Sequence, residues 1–286
     1  MSHRFSLRRL AFAIAAACAL VPAAATAQTH GTHAPEPYAF SFEGPFGMYD
    51  RAAVQRGYQV YATVCASCHS LNQLSYRNLG EEGGPFAAYR ETDLATGETH
   101  ITTTPHGHGA RFIEANDNPF VRAVAAEAMI PIIDDLGQPS ERPGRPSDRF
   151  RRPFANEQQA RAANGGALPP DLSVITSARA GGAEYIRSLL MGFTGELRDG
   201  KHVNTYFAGE LIGMAPPLVE GVVTYSDGTE ATVGQMATDV SYFLQWAADP
   251  HMEKRKALGL QVIIFLSILT GLLYLAYKQV WRGVKH

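Results

Sequence analysis

A run of 20 uncharged residues near the carboxyl end constrains this chain more than any other feature. Residues 258–277 contain no Asp, Glu, Lys or Arg, and as an α-helix they would extend about 30 Å, the thickness of the hydrocarbon core of a bilayer. Aromatic residues typical of a membrane interface follow at Tyr274, Tyr277 and Trp281. We predict a basic connector, one transmembrane helix over about 258–277 and a short cytoplasmic tail within residues 251–286.

The first 27 residues have the pattern of an export signal. Three arginines precede an apolar stretch at 10–21, and Ala25-Thr26-Ala27 is a small-x-small cleavage site. We therefore predict that residues 1–27 are removed. The remaining chain would cross the bacterial inner membrane once, with its large domain in the periplasm and its carboxyl end in the cytoplasm. Alternatively, Cys18 carries a lipid and is not removed with the signal.

Residues 28–250 form an acidic domain of ordinary globular composition. The chain is 45% hydrophobic and 18% charged, which excludes a disordered or low-complexity protein. This part holds 16 Lys and Arg against 26 Asp and Glu, a net charge of −10, which argues against a dedicated nucleic-acid binder. Such a charge favours a basic partner protein, although solubility alone would also explain it.

Cys65-Ala66-Ser67-Cys68-His69 is the strongest chemical motif in the chain. Two thiols three positions apart, followed by a histidine, are typical of covalent attachment of haem c, with the histidine on the iron. A zinc half-site and a thioredoxin-like redox pair are the alternatives. Asp50 is a plausible N-cap, and the spacing of Val54, Tyr58, Tyr61 and Cys65 predicts a helix that runs into the motif and packs on the haem.

An electron carrier needs a second axial ligand, and Met214 is the strongest candidate. It lies in Ile212-Gly-Met-Ala-Pro-Pro-Leu218, where glycine permits close backbone approach and two prolines stiffen the chain. A thioether opposite a histidine raises the reduction potential of a haem. His202 and the histidines at 100–108 stay open as alternative ligands on these grounds alone.

Two further segments are candidates for the wall of the site. Asn164-Gly-Gly-Ala-Leu-Pro-Pro-Asp-Leu-Ser173 is a loop by composition, and Arg179 follows it at the end of a short predicted helix. The loop is apolar enough to contact a flat ligand, although a surface turn has the same composition. A later helix is predicted from about Thr238 to Asp249, where Pro250 ends or kinks it.

Four blocks of the chain together resemble the cytochrome c1 family, the haem subunits of the quinol–cytochrome c oxidoreductases known as cytochrome bc1 complexes. They cover most of the mature chain in the order found in that family. The blocks are residues 56–79 around the Cys-x-x-Cys-His motif, residues 142–179 with the Arg142-Pro-Gly-Arg-Pro-Ser-Asp148 string and the Asn164 loop, residues 206–218 around Met214, and residues 239–250 before the membrane helix.

The resemblance implies a mainly α, class I cytochrome c-like haem domain with loop insertions and one C-terminal transmembrane helix. It implies one covalent haem c on Cys65 and Cys68, with iron ligands His69 and Met214. It also implies that Arg179 meets a haem propionate and that five loop residues contact the haem. These five are Asn164, Ala167, Leu168, Pro169 and Pro170.

The resemblance also implies a function and partners. The chain would accept one electron from a Rieske iron–sulfur protein beside cytochrome b and pass it to a soluble, basic c-type cytochrome. It would thus be a subunit of quinol–cytochrome c reductase that carries electrons itself. Two alternatives are a stand-alone membrane-anchored cytochrome that shuttles electrons to an oxidase and a haem-based ligand sensor.

Two features depart from the family pattern. Residues 86–115 have no identified counterpart and are interpreted as a surface insertion, in which a metal site at His106 and His108 is less favoured than a solvated loop. The extra cysteine pair of some members is absent. The prolines around Met214 would therefore have to stiffen its loop without a disulfide.

Overall fold

The computed structural model describes residues 33–93, 96–105 and 109–283. The predicted export signal, His106 and His108 lie outside these residues. The helices are α1 (Arg51–Thr63), α2 (Pro119–Ala126), α3 (Glu157–Ala163), α4 (Ile175–Ala178), α5 (Gly182–Met191), α6 (Val233–Ala248) and α7 (Met252–Val280). The strands are β1 (Ala88–Thr92), β2 (Thr99–Thr102), β3 (Arg111–Ile113), β4 (Met129–Ile133), β5 (Pro139–Pro143), β6 (Phe193–Arg198), β7 (Lys201–Asn204) and β8 (Leu211–Ile212).

Helix α1 begins where the sequence predicts and ends before the haem motif. The carboxylate of Asp50 accepts a hydrogen bond from the backbone N–H of Ala53 at 3.0 Å, which caps the helix. The helix stops at Thr63, and Cys65–Ser67 forms a separate 3-10 turn. The prediction of one helix that includes Cys65 is therefore wrong, since the chain tightens before the first cysteine.

Helices α1 and α6 cross at close range at Gly57. A Cβ atom on Gly57 would lie 1.9 Å from the backbone oxygen of Asp239, so only glycine permits this approach. Beside the crossing, Arg56 donates two hydrogen bonds of 3.0 Å to the carboxylate of Asp239, which is fully buried. A third bond, of 3.0 Å, runs from Arg56 to Asp227. The ion pair and the glycine together set how α1 lies on α6.

The predicted apolar face of α1 packs on aromatic residues of this crossing. The rings of Tyr58 and Tyr61 lie 5.6 and 5.5 Å from the ring of Phe243 on α6. Phe150 contacts both tyrosines from the other side, at 6.4 and 6.2 Å, and Val54 is 1% exposed. This face of α1 therefore takes part in packing of the protein core.

The prediction of a mainly α domain with loop insertions is confirmed only in part. Helices account for about 40% of the described residues and strands for about 15%. The residues of the predicted surface insertion contain an antiparallel sheet in the order β2-β1-β3. Strands β4 and β5 form a hairpin, and β6, β7 and β8 form a third antiparallel sheet.

The last two helices extend further than the sequence suggests. Helix α6 begins at Val233 rather than near Thr238, because the hydroxyl of Thr232 accepts a bond from the N–H of Gln235 at 3.1 Å. Helix α7 runs from Met252, so residues of the predicted basic connector form its first turns. Within the described residues it is the one helix long and apolar enough to cross a membrane, and none of its apolar stretch is buried.

Candidate functional site

The Cys-x-x-Cys-His motif forms a tight turn at the end of α1. The backbone N–H groups of Cys68 and His69 both donate to the oxygen of Cys65, at 3.0 and 2.8 Å. Both thiols are free and half-buried. Burial, and to a smaller extent the nearby Cys68, raises the pKa of the Cys65 thiol to about 12. The thiol is therefore protonated at neutral pH, the form in which S–H adds across a vinyl group.

The ring of His69 is fixed through one nitrogen. Its Nδ1 lies 2.8 Å from the backbone oxygen of Pro170, and because a carbonyl only accepts, Nδ1 must carry the hydrogen. Burial lowers the pKa of His69, although the Pro170 oxygen opposes that shift. The imidazole is therefore neutral, and the lone pair on Nε2 is available to a metal.

A hydrogen-bond network around Asp171 holds Pro170 against the motif. The Asp171 carboxylate accepts from the hydroxyl of Ser70 at 2.7 Å and from the N–H of Asn72 at 2.8 Å. It also accepts from the N–H of Ser173 at 2.9 Å, and the N–H of Leu172 donates to the oxygen of Ser70 at 2.9 Å. Three of these bonds join two segments about 100 positions apart, and the bond from Ser173 is local.

Asp171 and Ser70 are not among the site residues predicted from the sequence. The pattern Asp-x-Ser at the end of the loop is a signal for a local turn, since an Asp side chain accepts readily from the N–H two residues ahead. That signal predicts the bond to Ser173 but gives no sign of the bonds to Ser70 and Asn72. These depend on the fold, which brings the two segments together.

The loop from Asn164 to Pro170 is confirmed as non-helical, and its residues do not share one role. The amide of Asn164 donates to the oxygen of Ala160 at 2.7 Å and so closes the end of α3. Ala167 and Leu168 are exposed, whereas Pro169 is half-buried. Pro170 contributes the backbone oxygen that orients His69. Asn164 therefore shapes the loop, and Ala167, Leu168 and Pro169 give it an apolar surface.

Met214 lies in the irregular segment that follows β8, as its neighbours predict. The side chain is half-buried. The preceding Gly213 lies against the Asn164–Pro170 loop, since a Cβ on Gly213 would come within 3.2 Å of the Cβ of Ala167. The loop that orients His69 at one end thus contacts the Met214 segment at its middle. Any residue larger than glycine at position 213 would disturb this contact.

The remaining predicted residues lie in different settings. Arg179 follows α4, is exposed and donates to the oxygen of Ala178 at 3.3 Å. Among the described residues its guanidinium has no carboxylate within salt-bridge distance. His202 lies on β7 opposite Ile212, close to the Met214 segment. His100 lies in the inserted sheet, 3.9 Å from Glu91.

The donor set at this turn suits a covalent haem. Two free thiols lie beside an imidazole that carries its hydrogen on Nδ1, and a thioether-bearing segment contacts the same loop. A structural zinc site needs four nitrogen or sulfur ligands, and the described residues contain no cluster of three or more metal-ligating side chains. The motif therefore fits haem attachment better than zinc binding.

Comparison with known proteins agrees with this chemistry. Residues 40–284 match the family model described as the Cytochrome C1 family. Cytochrome c1 of Rhodospirillum rubrum is 38% identical over an alignment of 269 positions that covers 86% of this chain and 87% of that protein. Cytochrome c1 of Blastochloris viridis is 36% identical over an alignment of 302 positions that covers 97% of each chain.

Two longer relatives match over most of this chain as well. The mitochondrial cytochrome c1 heme protein of Saccharomyces cerevisiae is 43% identical over 272 residues, which are 93% of this chain and 78% of that protein. The protein named cytochrome b/c1 of Bradyrhizobium diazoefficiens is 41% identical over 275 residues, 88% of this chain, and the chain spans only 36% of its length. The chain belongs to the cytochrome c1 family, the haem-bearing electron-transfer subunits of cytochrome bc1 complexes.

Proposed function

We propose that this chain carries one covalent haem c, bound through thioethers of Cys65 and Cys68, and transfers single electrons within a quinol–cytochrome c oxidoreductase. The proposal depends most on the 2.8 Å bond between His69 Nδ1 and the Pro170 oxygen, beside two free thiols. That bond fixes the hydrogen on Nδ1 and leaves the lone pair of Nε2 available to a metal. Membership of the cytochrome c1 family supports the same assignment.

The protein residues prepare the site for rapid electron transfer. When bound, the haem would supply an iron that can take up and release one electron. Nε2 of His69 and the sulfur of Met214 would hold that iron. The Asp171 network keeps the imidazole in one orientation, and the Gly213–Ala167 contact holds the Met214 segment near the same loop. Little reorganisation is then needed when the charge changes.

The residues around the ligands have supporting roles in this proposal. Ala167, Leu168 and Pro169 present apolar surface to the ring, and Asn164 fixes the loop that carries them. Arg179 binds a propionate, which is consistent with an exposed guanidinium that has no described carboxylate partner. A planar guanidinium can bind a carboxylate through two parallel hydrogen bonds.

The electron path follows from membrane placement and charge. In this proposal residues 1–27 direct export, residues 28–250 form a periplasmic domain, and α7 crosses the membrane once to a cytoplasmic tail. Cytochrome b and the Rieske protein are the partners within the complex, and the Rieske protein is the electron donor. The net charge of −10 on residues 28–250 favours a soluble, basic c-type cytochrome as acceptor.

Purification in mild detergent tests whether the chain works inside a complex. We expect the chain to elute with b-type haem and an iron–sulfur signal, and to be reduced when quinol is added. Elution alone, with electrons passed directly to an oxidase, would instead establish the stand-alone membrane-anchored cytochrome. Deletion of the carboxyl-terminal helix is the matched control, because it releases the domain but leaves the haem site intact.

A further inference from the structure

A short loop beside the first turns of α7 exposes two large apolar side chains. It comprises residues 43–48, called the base loop here. Phe46 is 75% exposed and Met48 is 61% exposed. Single exposed apolar residues are common on protein surfaces, so exposure alone indicates nothing. The position of the base loop relative to the membrane helix is what gives these two residues meaning.

Two residues of α7, one turn apart, bind the chain on either side of the base loop. The ammonium of Lys256 donates to the backbone oxygens of Phe42 and Gly47, at 2.6 and 3.1 Å. The carboxylate of Glu253 accepts from the backbone N–H of Tyr49 at 2.8 Å. The base loop is therefore attached directly to the part of α7 that precedes its apolar run.

The base loop also has a defined internal conformation. The N–H of Met48 donates to the oxygen of Ser41 at 3.0 Å, and the hydroxyl of Ser41 donates to the oxygen of Met48 at 2.7 Å. A Cβ on Gly47 would lie 2.0 Å from the oxygen of Glu43, so this turn requires glycine. Phe46 and Met48 are thus held outside the core rather than free to fold back into it.

The distance to the apolar run places the base loop at the membrane surface. Lys256 precedes Leu258 by two residues, about 3 Å along a helix axis, and Leu258 is 60% exposed. The headgroup layer on each side of a bilayer is about 5–7 Å thick. We propose that Phe46 and Met48 insert into the lipid headgroup layer of the leaflet through which α7 enters.

This second contact would fix the tilt of the haem domain over the membrane. The inference rests on the proposed membrane crossing by α7. A lipid surface is favoured over a protein partner because the base loop is bound by Lys256, two residues before the exposed apolar run of α7 begins. The transfer of phenylalanine and methionine side chains from water into an apolar layer is also favourable.

Fluorescence quenching in vesicles tests the inference. The full chain with its haem is prepared as three variants, Phe46→Cys, Leu136→Cys and Leu266→Cys, each labelled with a thiol-reactive bimane. Leu136 is 84% exposed at the turn of the β4–β5 hairpin and is the matched aqueous control. Leu266 lies within the apolar run of α7 and reports the membrane crossing itself. Unsubstituted chain treated with the same dye shows whether Cys65 and Cys68 are already consumed.

Each labelled chain is placed in phosphatidylcholine vesicles with and without acyl chains brominated close to the headgroup, within reach of a label in the headgroup layer, and its fluorescence is compared between the two. Bromine quenches only a label in contact with lipid, whereas added iodide quenches a label in water. We expect bromine to reduce the fluorescence of the Phe46→Cys and Leu266→Cys labels and to leave the Leu136→Cys label unchanged. Iodide should quench the Leu136→Cys label most strongly.

The other outcomes overturn the inference in distinguishable ways. A Phe46→Cys label that responds to iodide but not to bromine lies in water. A label that responds to neither quencher is covered by protein. In both cases a quenched Leu266→Cys label shows that α7 still crosses the membrane, so the proposed function stands. An unquenched Leu266→Cys label would remove the membrane crossing and the base-loop contact together.

Discussion

Met214 is the residue whose substitution most clearly separates haem attachment from haem ligation. We expect Met214→Leu to keep the covalent haem, because Cys65 and Cys68 are unchanged, and to lower the reduction potential sharply, because a thioether ligand raises it. Redox titration of the purified protein measures the shift. Met191→Leu is the matched control, since Met191 is 39% exposed at the end of α5 and should leave the potential unaltered.

An unchanged potential in Met214→Leu would assign the second axial position to another residue. His202 would then be tested first, because it lies opposite Ile212 on the strand next to the Met214 segment. A five-coordinate iron that binds carbon monoxide rapidly in the unsubstituted protein would favour a ligand sensor over an electron carrier.

Asp148 makes the fold sensitive to acid at a point away from the haem ligands. Arg142 donates two hydrogen bonds of 2.7 and 2.8 Å to this carboxylate, and they lower its pKa below 3.8. A carboxyl group with a lowered pKa in the folded state stabilises the protein above its unfolded pKa. That stabilisation is lost as the pH falls through the folded pKa.

We therefore expect the melting temperature of the unsubstituted protein to fall as the pH drops below 3.8. Asp148→Asn should melt lower at neutral pH and show a smaller further decrease in acid. Thermal melts followed by circular dichroism from neutral pH into acid measure both. Parallel curves for the two proteins, separated by a constant amount, would contradict a role for Asp148 ionisation.

At the residue scale, the sequence identifies the candidate haem ligands but not the residues that orient them. Cys65, Cys68 and His69 form a contiguous motif, and Met214 has a distinctive setting of glycine and prolines. The Pro170 oxygen and the Asp171 carboxylate cannot be predicted in the same way. Their partners lie about 100 positions away along the sequence. Only the tertiary fold brings them within hydrogen-bond distance.

Among the secondary-structure elements, the crossing of α1 and α6 gives the sharpest prediction. An alanine Cβ at position 57 would lie 1.9 Å from the Asp239 oxygen, and both are held within helices. We expect Gly57→Ala to lower the free energy of unfolding by about 1–3 kcal/mol or more, as overpacked cores do. Denaturant titration of the haem-bearing protein measures the change.

Gly234→Ala is the matched control for that substitution. Gly234 lies on α6, and a Cβ there meets nothing within 4 Å. Alanine should therefore raise the free energy of unfolding by up to about 1 kcal/mol, since it restricts the unfolded chain more than glycine does. Equal effects at positions 57 and 234 would mean that the helix crossing tolerates a methyl group.

The helices that bear strong local signals are predicted well, and the inserted strands are not. Asp50 caps α1, and a long uncharged run marks α7. Strand β2 exposes nearly all its residues, so it lacks the alternation of apolar and polar residues that identifies a half-buried strand. It forms because residues 99–102 pair antiparallel with residues 89–92 of β1, which local sequence does not reveal.

For the whole molecule, the acidic charge of residues 28–250 predicts that salt affects the rate of electron transfer to an acceptor. Residues 28–250 have a net charge of −10, and attraction between unlike charged surfaces is screened over about 8 Å at physiological ionic strength. We expect the rate of reduction of a basic soluble cytochrome to fall as salt is raised. Stopped-flow kinetics measures that rate, and an acidic cytochrome as acceptor is the control. A rate that does not change with salt would remove charge from the account of docking.

The central claim is that Cys65 and Cys68 hold an iron porphyrin covalently. Acid–acetone extraction of the purified chain, followed by a pyridine haemochrome spectrum of the precipitated polypeptide, tests it directly. We predict that the pigment stays with the unsubstituted polypeptide. A chain that carries both Cys65→Ala and Cys68→Ala should retain none. A colourless polypeptide with all pigment in the acetone would contradict the account.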